Sequence, residues 1–220
     1  MTEPFIRNHQ HNLIKKQAGL ALQAMQTAAD PKVIESVKLS AVMKIAEAFP
    51  DANDEQLQTL EKLAEMKAEE DIRQYLLALE PYLAPFPQIT EAQLKKLFPK
   101  TKKLKLPQLS GLDLRRVTYL GWTDIASGRM FLVCFMNGQW YGIEGRFTQT
   151  NRKNVCFVCN KHEDVALFSA VSKKRPANAS PDYYLSIGNY ICVNSDACNR
   201  HITETAALET FVRQVTGTNG

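Results

Sequence analysis

Apolar residues recur along this chain with two different periods. Before residue 80 they return every three or four positions, which predicts amphipathic helices, whereas after residue 117 they form short runs of branched and aromatic residues, which predict strands. The stretch from Pro81 to Pro87 contains three prolines, and proline inside a helix breaks it. We therefore predict an α+β protein with a helical domain at residues 1–83 and an α/β domain at residues 84–220.

Capping residues mark three helix starts. Asp30-Pro31 combines a side chain that accepts hydrogen bonds from free N–H groups with a proline suited to the first helical position. Asn53–Gln56 and Thr90–Gln93 each place a glutamine three residues after a capping side chain. Charged residues interrupt the apolar pattern across 66–71, which leaves one helix or two open, although a compact bundle favours two. We expect every apolar stripe in this half to form core.

The second half contains the strands. Val117–Trp122 and Met130–Met136 are rich in branched and aromatic residues, and Asn137-Gly138 connects the second run to Gln139–Ile143. Asn-Gly tolerates the positive φ angles of a tight hairpin turn, so these last two runs are predicted to pair. Cys134 lies inside an apolar run and is interpreted as an ordinary buried thiol.

Four of the five cysteines fall into two clusters, which predict a metal site. Cys156 and Cys159 are separated by two residues, and Cys192 and Cys198 follow after a span long enough for a β-hairpin. Thiolates arranged in two such pairs bind a structural ion, with zinc as the default. The knuckle, two predicted strands, the second pair and a predicted helix at 203–215 follow in the order of a treble-clef zinc finger, at about residues 150–216.

Histidines could alter this ligand set. His162 or His201 could replace one cysteine, because each is close in sequence to a ligand. His9 and His11 face different sides of a helix, so no metal role is expected for them. Four thiolates leave no open position for a substrate, and the sequence shows neither a nucleophile with its base nor a glycine-rich phosphate loop, so we expect no enzymatic activity.

The helical and the strand-containing halves of the chain also differ in net charge. Residues 1–89 carry 9 Lys+Arg and 13 Asp+Glu, a net −4, whereas residues 90–220 carry 18 and 10, a net +8. The basic half is expected to meet an anionic partner. The sequence lacks an apolar run of about 20 residues and a signal-peptide pattern. We expect a cytoplasmic monomer without a membrane segment, in a reducing compartment that favours metal ligation over disulfides.

Several motifs resemble those of a known family. They are Lys153–Lys161, Val165–Phe168, Gly188–Cys192, Cys198-Asn199, Phe98–Pro107 and Gly121–Arg129. These residues are similar to the elongation factor G-binding proteins, which include the FusB-type fusidic-acid resistance proteins, and the helical half is similar in layout. The resemblance implies an N-terminal four-helix bundle and a C-terminal domain with one zinc ion. It also implies that this domain binds elongation factor G and promotes its release from the ribosome, with tolerance of fusidic acid as a possible result.

The resemblance further implies contact residues for the factor. Tyr190 and Phe211 match aromatic contact positions of the resistance proteins. Val155 stands where those proteins carry an aromatic residue, and Ile187 where they carry a lysine. The resemblance therefore supports binding of the factor more directly than drug resistance. Phe211 could instead fill the core face of the last helix.

A basic loop motivates the main alternative function. Lys173, Lys174 and Arg175 are consecutive and could steer either an acidic protein or ribosomal RNA toward the zinc domain. Together with the lysines between residues 95 and 105, they favour a nucleic-acid-binding zinc module as the second hypothesis. An enzyme is the third hypothesis, and it would need a metal with an open ligand position.

Overall fold

The chain folds into two compact units, Met1–Ala84 and Pro85–Gly220. The architecture comes from a computed structural model that describes residues 3–174, 176–180 and 182–218. The first unit is helical, and the second contains a five-stranded sheet. Within the described ranges, no helix combines the length and the apolar character needed to cross a membrane.

The helical unit contains four α-helices in its described part. They are α1 (Asn8–Thr27), α2 (Pro31–Glu47), α3 (Asp54–Glu61) and α4 (Glu69–Ala78). The Asp30 side chain accepts a 2.9 Å hydrogen bond from Lys32 N and caps α2. Asn53 and Gln56 exchange the two hydrogen bonds of a capping box at α3. A 3₁₀ turn (Lys62–Glu65) and a break separate α3 from α4, so the region after residue 53 forms two helices.

Apolar side chains from all four helices form the core of this unit. Among the most deeply buried are Ile14, Ala18, Ile45, Leu60, Leu63 and Leu79. The buried Tyr75 hydroxyl donates a 2.9 Å hydrogen bond to Leu60 O, which ties α4 to α3. Ile6 and Leu83 form a parallel bridge, so the two ends of the unit meet. The core is therefore closed by both packing and backbone pairing.

Several apolar residues of the helical unit remain exposed, which corrects the expectation that every stripe forms core. The exposed ones are Leu20, Val33, Leu39, Met43 and Leu77. On α2, only Ala41 and Ile45 are buried. Neighbouring helices cover only one narrow side of α2. Its sequence therefore carries more apolar residues than the packing buries.

The second unit is built on one antiparallel sheet whose strands pair in chain order. They are β1 (Leu120–Asp124), β2 (Arg129–Met136), β3 (Gln139–Val155), β4 (His162–Val171) and β5 (Ser186–Cys192). Asn137 and Gly138 have φ angles of 49° and 75°, which confirms the predicted tight turn between β2 and β3. The α-helices of this unit are α5 (Glu91–Leu97), α6 (Ser195–Asn199) and α7 (Ala206–Thr216).

Some strand bounds differ from the predicted runs. β3 continues past Ile143 to Val155, because its polar residues pair with β4 on both sides of a register shift between Gln149 and Lys153. Backbone hydrogen bonds to β4 hold this extension in place. Its sequence lacks the apolar pattern from which a strand could be predicted. β1 begins at Leu120, three residues later than the predicted run, which started at Val117.

β2 separates two cores on opposite faces of the sheet. Met130, Leu132 and Cys134 alternate along the strand with Phe131 and Val133, and the two sets enter different clusters. We call the first cluster the metal-side core, because it also contains the four clustered cysteines and the buried face of α7. The second, which we call the aromatic core, lies under α5. It includes Phe86, Leu94, Phe98, Trp122, Phe131 and Trp140. β2 is thus almost continuously apolar because both of its faces are covered.

Candidate functional site

The four clustered cysteines bring their sulfurs to one point. All four are buried, and their Sγ atoms lie within 4.8 Å of one another. The Sγ atoms of Cys156 and Cys198 are 3.7 Å apart, and those of Cys159 and Cys192 are 3.6 Å apart. A tetrahedral zinc ion with bonds of about 2.3 Å separates its sulfurs by about 3.8 Å. The cysteines are therefore positioned to bind one metal ion, and their spacing fits zinc.

The first cysteine pair is held by a tight knuckle after β3. Asn160 has a φ angle of 54°, and its N–H donates a 2.9 Å hydrogen bond to Cys156 O. Cys156 N donates to Lys161 O at 2.9 Å, which closes the loop. Phe157 N donates to Tyr190 O at 2.8 Å and joins the knuckle to β5. The short spacing of the pair is thus built into a loop that is anchored on the sheet.

The second pair uses a strand end and a short helix. Cys192 is the last residue of β5, and Cys198 lies on α6. The Asn194 side chain accepts hydrogen bonds from Asp196 N at 2.9 Å and from Ala197 N at 3.1 Å, which caps α6. A capped helix of five residues spans the wide spacing between the two ligands.

The electrostatics of the site favour a cation. Hydrogen bonds with neighbouring cysteines, above all Cys159, lower the pKa of the Cys156 thiol. The hydrogen bond with Cys156 is in turn the main cause that raises the pKa of Cys198. Without a counter-charge, four sulfurs this close cannot all carry negative charge. A divalent cation removes that conflict, because each thiolate then binds it directly.

Histidine is absent from the described metal-ligand group. His162 is exposed, and His201 Nε2 lies 3.8 Å from Glu163 Oε1. In residues 3–174, 176–180 and 182–218, the side chains that could hold a metal ion are the four cysteines, without His9 or His11. The alternative of a histidine ligand therefore finds no support in the geometry.

Cys134 lies in the metal-side core but apart from the metal site. Its side chain is 2% exposed. Burial raises the pKa of the Cys134 thiol to about 12, and the charge of Glu209 adds to the shift. The thiol is therefore neutral near pH 7 and poorly suited to act as a nucleophile. This confirms the prediction of an ordinary buried cysteine.

Tyr190 and three other exposed apolar residues lie on or beside β4 and β5, at one edge of the sheet. Tyr190 is 40% exposed and pairs across β4 and β5 with Leu167. Val171, at the end of β4, is 58% exposed. Ser172 N donates a 2.7 Å hydrogen bond to Leu185 O, which brings the exposed Leu185 beside that end. We call Leu167, Val171, Leu185 and Tyr190 the β4–β5 surface.

Leu167, Val171 and Tyr190 lie on the side of the sheet that faces away from the metal-side core. Phe168 and Ala170 point into that core, so Leu167 and Val171, which alternate with them, point to the opposite side. Of the residues on this surface, only Tyr190 was predicted from the sequence. The nearly continuous apolar run in β4 is the signal that could have identified Leu167 and Val171, because a strand with one covered face should carry polar residues on the other.

Phe211 occupies a different environment from Tyr190. It is 2% exposed, and its ring centroid lies 5.1 Å from that of Phe157 and 5.7 Å from that of Phe168. Phe211 therefore fills the core face of the last helix, which was the alternative interpretation. It packs against the knuckle from inside and is not part of the contact surface. Val155 is 46% exposed beside the knuckle, whereas Ile187 packs against the metal-side core.

The predicted basic loop follows β4. Lys173 and Lys174 are exposed, and Lys173 N donates a 2.7 Å hydrogen bond to Val215 O at the end of α7. Arg175 lies outside the described residues. The two described lysines are therefore held next to Val171, where they extend the β4–β5 surface with positive charge.

The architecture defines a class of protein: a helical unit followed by a sheet domain that ends in a four-cysteine treble-clef zinc finger. Comparison with known families agrees with this class over both units. Residues 5–87 match the family described as "Elongation factor G-binding protein, N-terminal", and residues 96–218 match the family described as "FBP C-terminal treble-clef zinc-finger". The chain belongs to the elongation factor G-binding protein family.

The fold is similar to that of a solved protein. The structure described as the fusidic acid resistance protein FusC superposes with a TM-score of 0.78, covers 98% of each chain and shares 23% of its sequence with this one. At this identity, the similarity concerns the fold. A search of curated proteins gives no significant match.

Proposed function

We propose that this protein binds elongation factor G through its zinc domain and promotes release of the factor from the ribosome. The match to the elongation factor G-binding family over both units carries this proposal. The protein acts in the cytoplasm as a monomer, and the ribosome is its second partner. A four-thiolate metal site offers no open ligand position, so the role of the zinc is to hold a binding surface and no reaction is assigned to it.

The β4–β5 surface is the proposed contact with the factor. Leu167 and Tyr190 are cross-strand partners, so they present one continuous apolar and aromatic patch. Exposed apolar patches on a folded domain mark interaction sites. Lys173 and Lys174 lie at one end of the patch and supply the charge that steers an acidic protein surface toward it.

The metal site makes this surface rigid. Tyr190 lies two residues before Cys192, and its carbonyl accepts the hydrogen bond from Phe157 N in the knuckle. Phe211 packs on the Phe157 ring from inside. A tyrosine held in this way loses little conformational entropy on binding, which is why rigid aromatic residues carry much of the energy of an interface. The metal site, the knuckle and the core therefore all restrict the position of Tyr190.

Co-elution with purified elongation factor G tests the binding proposal. The wild-type protein is expected to form a stoichiometric complex at moderate salt and without RNA. The double variant Leu167→Ala, Tyr190→Ala is expected to weaken the complex by about 2 kcal/mol or more, roughly 30-fold in Kd, because it removes the centre of the patch. Its zinc content and thermal midpoint should stay at the wild-type values.

Ile125→Ala is the matched control. Ile125 belongs to the same unit and is 84% exposed, but it lies between β1 and β2, outside the β4–β5 surface. This variant should bind as the wild type does. If the wild type does not co-elute, the proposed partner is wrong. If the double variant binds with wild-type affinity, the proposed surface is wrong.

Release from the ribosome needs a separate measurement. Ribosomes carrying elongation factor G trapped by fusidic acid are sedimented with and without the protein. The protein is expected to move the factor into the supernatant, and the double variant should leave it with the ribosomes. A protein that binds the free factor but leaves the sedimented fraction unchanged would contradict the release step and with it a role in fusidic-acid tolerance.

Salt dependence distinguishes the nucleic-acid alternative. The exposed Lys173 and Lys174 belong to the basic half that motivates it. A protein that binds through phosphates loses affinity steeply with salt, by about one decade per decade of salt for each phosphate contact. Tight binding of ribosomal RNA with such a slope, together with no affinity for the free factor, would favour the nucleic-acid module.

A further inference from the structure

The Tyr119 hydroxyl is a buried polar group in the metal-side core. Tyr119 is 0% exposed, and its hydroxyl has no hydrogen-bond partner within the described part of the chain. Buried hydroxyl groups are nearly always satisfied, because an unpaired one loses its hydrogen bonds to water without replacement. The position of this hydroxyl therefore calls for an acceptor.

Tyr119 is fixed in place from the second cysteine pair. The Asn199 side chain accepts hydrogen bonds from Thr118 N at 2.8 Å and from Tyr119 N at 3.3 Å, and it donates one to Tyr119 O at 2.9 Å. Asn199 directly follows Cys198. The backbone of Tyr119 is thus fastened to the helix that carries the last metal ligand.

The ring is confined as well as the backbone. A Cβ atom at Gly121 would lie 2.8 Å from Tyr119 Cε2 and 3.1 Å from Ser195 Cβ, so the glycine leaves room for the ring beside α6. Ser195 Oγ also donates a 2.8 Å hydrogen bond to Gly121 O. The ring therefore has little freedom to turn its hydroxyl away from the metal site.

The groups that act on this hydroxyl are the cysteines of the metal site. Burial is the main cause that raises the pKa of Tyr119, and the charge of Cys198 adds to the shift. Cys156 and Cys192 contribute through charge. Tyr119 shares the metal-side core with the four cysteines, and its backbone is bonded to Asn199, the residue after Cys198, so Cys198 is the metal ligand to which its position is most directly tied.

We propose that the Tyr119 hydroxyl donates a hydrogen bond to the Cys198 sulfur when that sulfur binds zinc. A metal-bound thiolate carries negative charge and accepts hydrogen bonds well, which supplies the acceptor that the buried hydroxyl lacks. Hydrogen bonds to the ligands of a metal orient them and tune the charge on the ligand atom. Tyr119 is therefore a positioning residue for the zinc site, contributed by the segment that leads into β1.

Tyr119→Phe tests this proposal in the full-length, zinc-loaded protein, because it removes the hydroxyl and keeps the ring. Zinc affinity is measured by competition with a chelator of known affinity. The variant is expected to bind zinc about tenfold more weakly, the lower end of the usual effect of such partners. Tyr75→Phe is the matched control, since it removes a buried, hydrogen-bonded hydroxyl from the helical unit and should leave zinc affinity unchanged.

A spectroscopic signature distinguishes the hydrogen bond from packing. With Co²⁺ in place of zinc, the thiolate-to-metal charge-transfer band should move to longer wavelength in Tyr119→Phe, because a thiolate without the donor gives up an electron more easily. Unchanged zinc affinity would overturn the proposal. A loss of affinity with an unmoved band would also overturn it, since that result would mean that the ring packing alone had changed.

A second substitution keeps the test independent of the folding of Tyr119→Phe. Incorporation of 3-fluorotyrosine at position 119 keeps the hydroxyl and makes it a stronger donor. The charge-transfer band of the Co²⁺ protein should then move to shorter wavelength, opposite to the shift in the phenylalanine variant. A band at the wild-type position would contradict a hydrogen bond from this hydroxyl.

Discussion

The two units of this protein use different means to hold their cores. In the helical unit, side chains such as Ile14 and Leu63 meet from several helices, and the packing is spread over the whole unit. In the second unit, the metal-side core contains four cysteines whose sulfurs bind one ion. Apolar packing distributes stability over many contacts, whereas a metal site concentrates it at one place. The two units should therefore respond very differently to single changes.

Cys198→Ser should produce the largest effect. It removes one of four ligands from a site whose binding free energy, about 10 kcal/mol or more in zinc fingers, is largely folding free energy. Zinc content should fall from one ion per chain to nearly none, and the second unit should become sensitive to protease while the helical unit stays resistant. Cys134→Ala is the control, since it removes a buried sulfur of the same core and should retain zinc at a cost of about 1–2 kcal/mol. A Cys198→Ser protein with wild-type protease resistance would contradict the contrast between the units.

Chelation should show how far the influence of the metal extends. Cys134 and the four ligands share the metal-side core, so metal removal is expected to open that core as a whole. Iodoacetamide should then modify all five cysteines, whereas none should react quickly in the zinc-loaded protein. Mass spectrometry counts the modified residues. Four modified cysteines with Cys134 protected would limit the role of the metal to the knuckle and α6.

Leu63→Ala should give an intermediate effect confined to the helical unit. Leu63 is 0% exposed, and truncation of such a residue costs about 2–5 kcal/mol. Thermal unfolding should show a lower midpoint for the helical unit with unchanged zinc content. Leu77→Ala, at a position of the same unit that is 51% exposed, should leave the midpoint near its wild-type value. Equal shifts for the two variants would mean that packing is not what distinguishes them.

Glu70→Gln should have the smallest effect. Hydrogen bonds from Arg73 and Gln74 lower the pKa of Glu70 to about 2 from its ordinary value of 4.5. A lowered pKa means that any stabilisation is present above pH 4.5 and disappears as the pH falls toward 2. The pair is exposed, and such pairs contribute little. The thermal midpoint at pH 7 should be unchanged within error, and a clear drop that vanishes at pH 2 would assign this ion pair a structural role.

Local chemistry explains which parts of the fold could be predicted from the sequence. The caps at Asp30 and Asn53 and the turn at Asn137-Gly138 depend on neighbouring residues alone, and each forms as expected. The metal site could also be predicted from the sequence, because only a few kinds of structure place cysteines at such spacings. In these cases, the residues that cause the structure are close together in the chain or are chemically distinctive.

Other features depend on partners that are distant in the chain. Phe211 and Tyr190 are both aromatic residues near the metal ligands, but the first is buried and the second exposed, because only the first faces the core side of its element. Val33 belongs to a good apolar stripe and remains exposed, since none of the described elements covers that part of α2. Tyr119 carries no sequence signal at all. Its role depends on its neighbours Asn199 and Cys198, which lie about 80 positions later in the chain.

Asn199 also connects two parts of the second unit that are synthesised at different times. Its side chain forms hydrogen bonds with the backbone of residues 118 and 119, and these bonds cannot form until residue 199 has been synthesised. Contacts over such long separations form late in folding. The helical unit is synthesised first and can fold while the cysteines are still absent. Cys198 directly precedes Asn199, so we expect binding of the ion by this fourth ligand to fix the start of β1 at the same time.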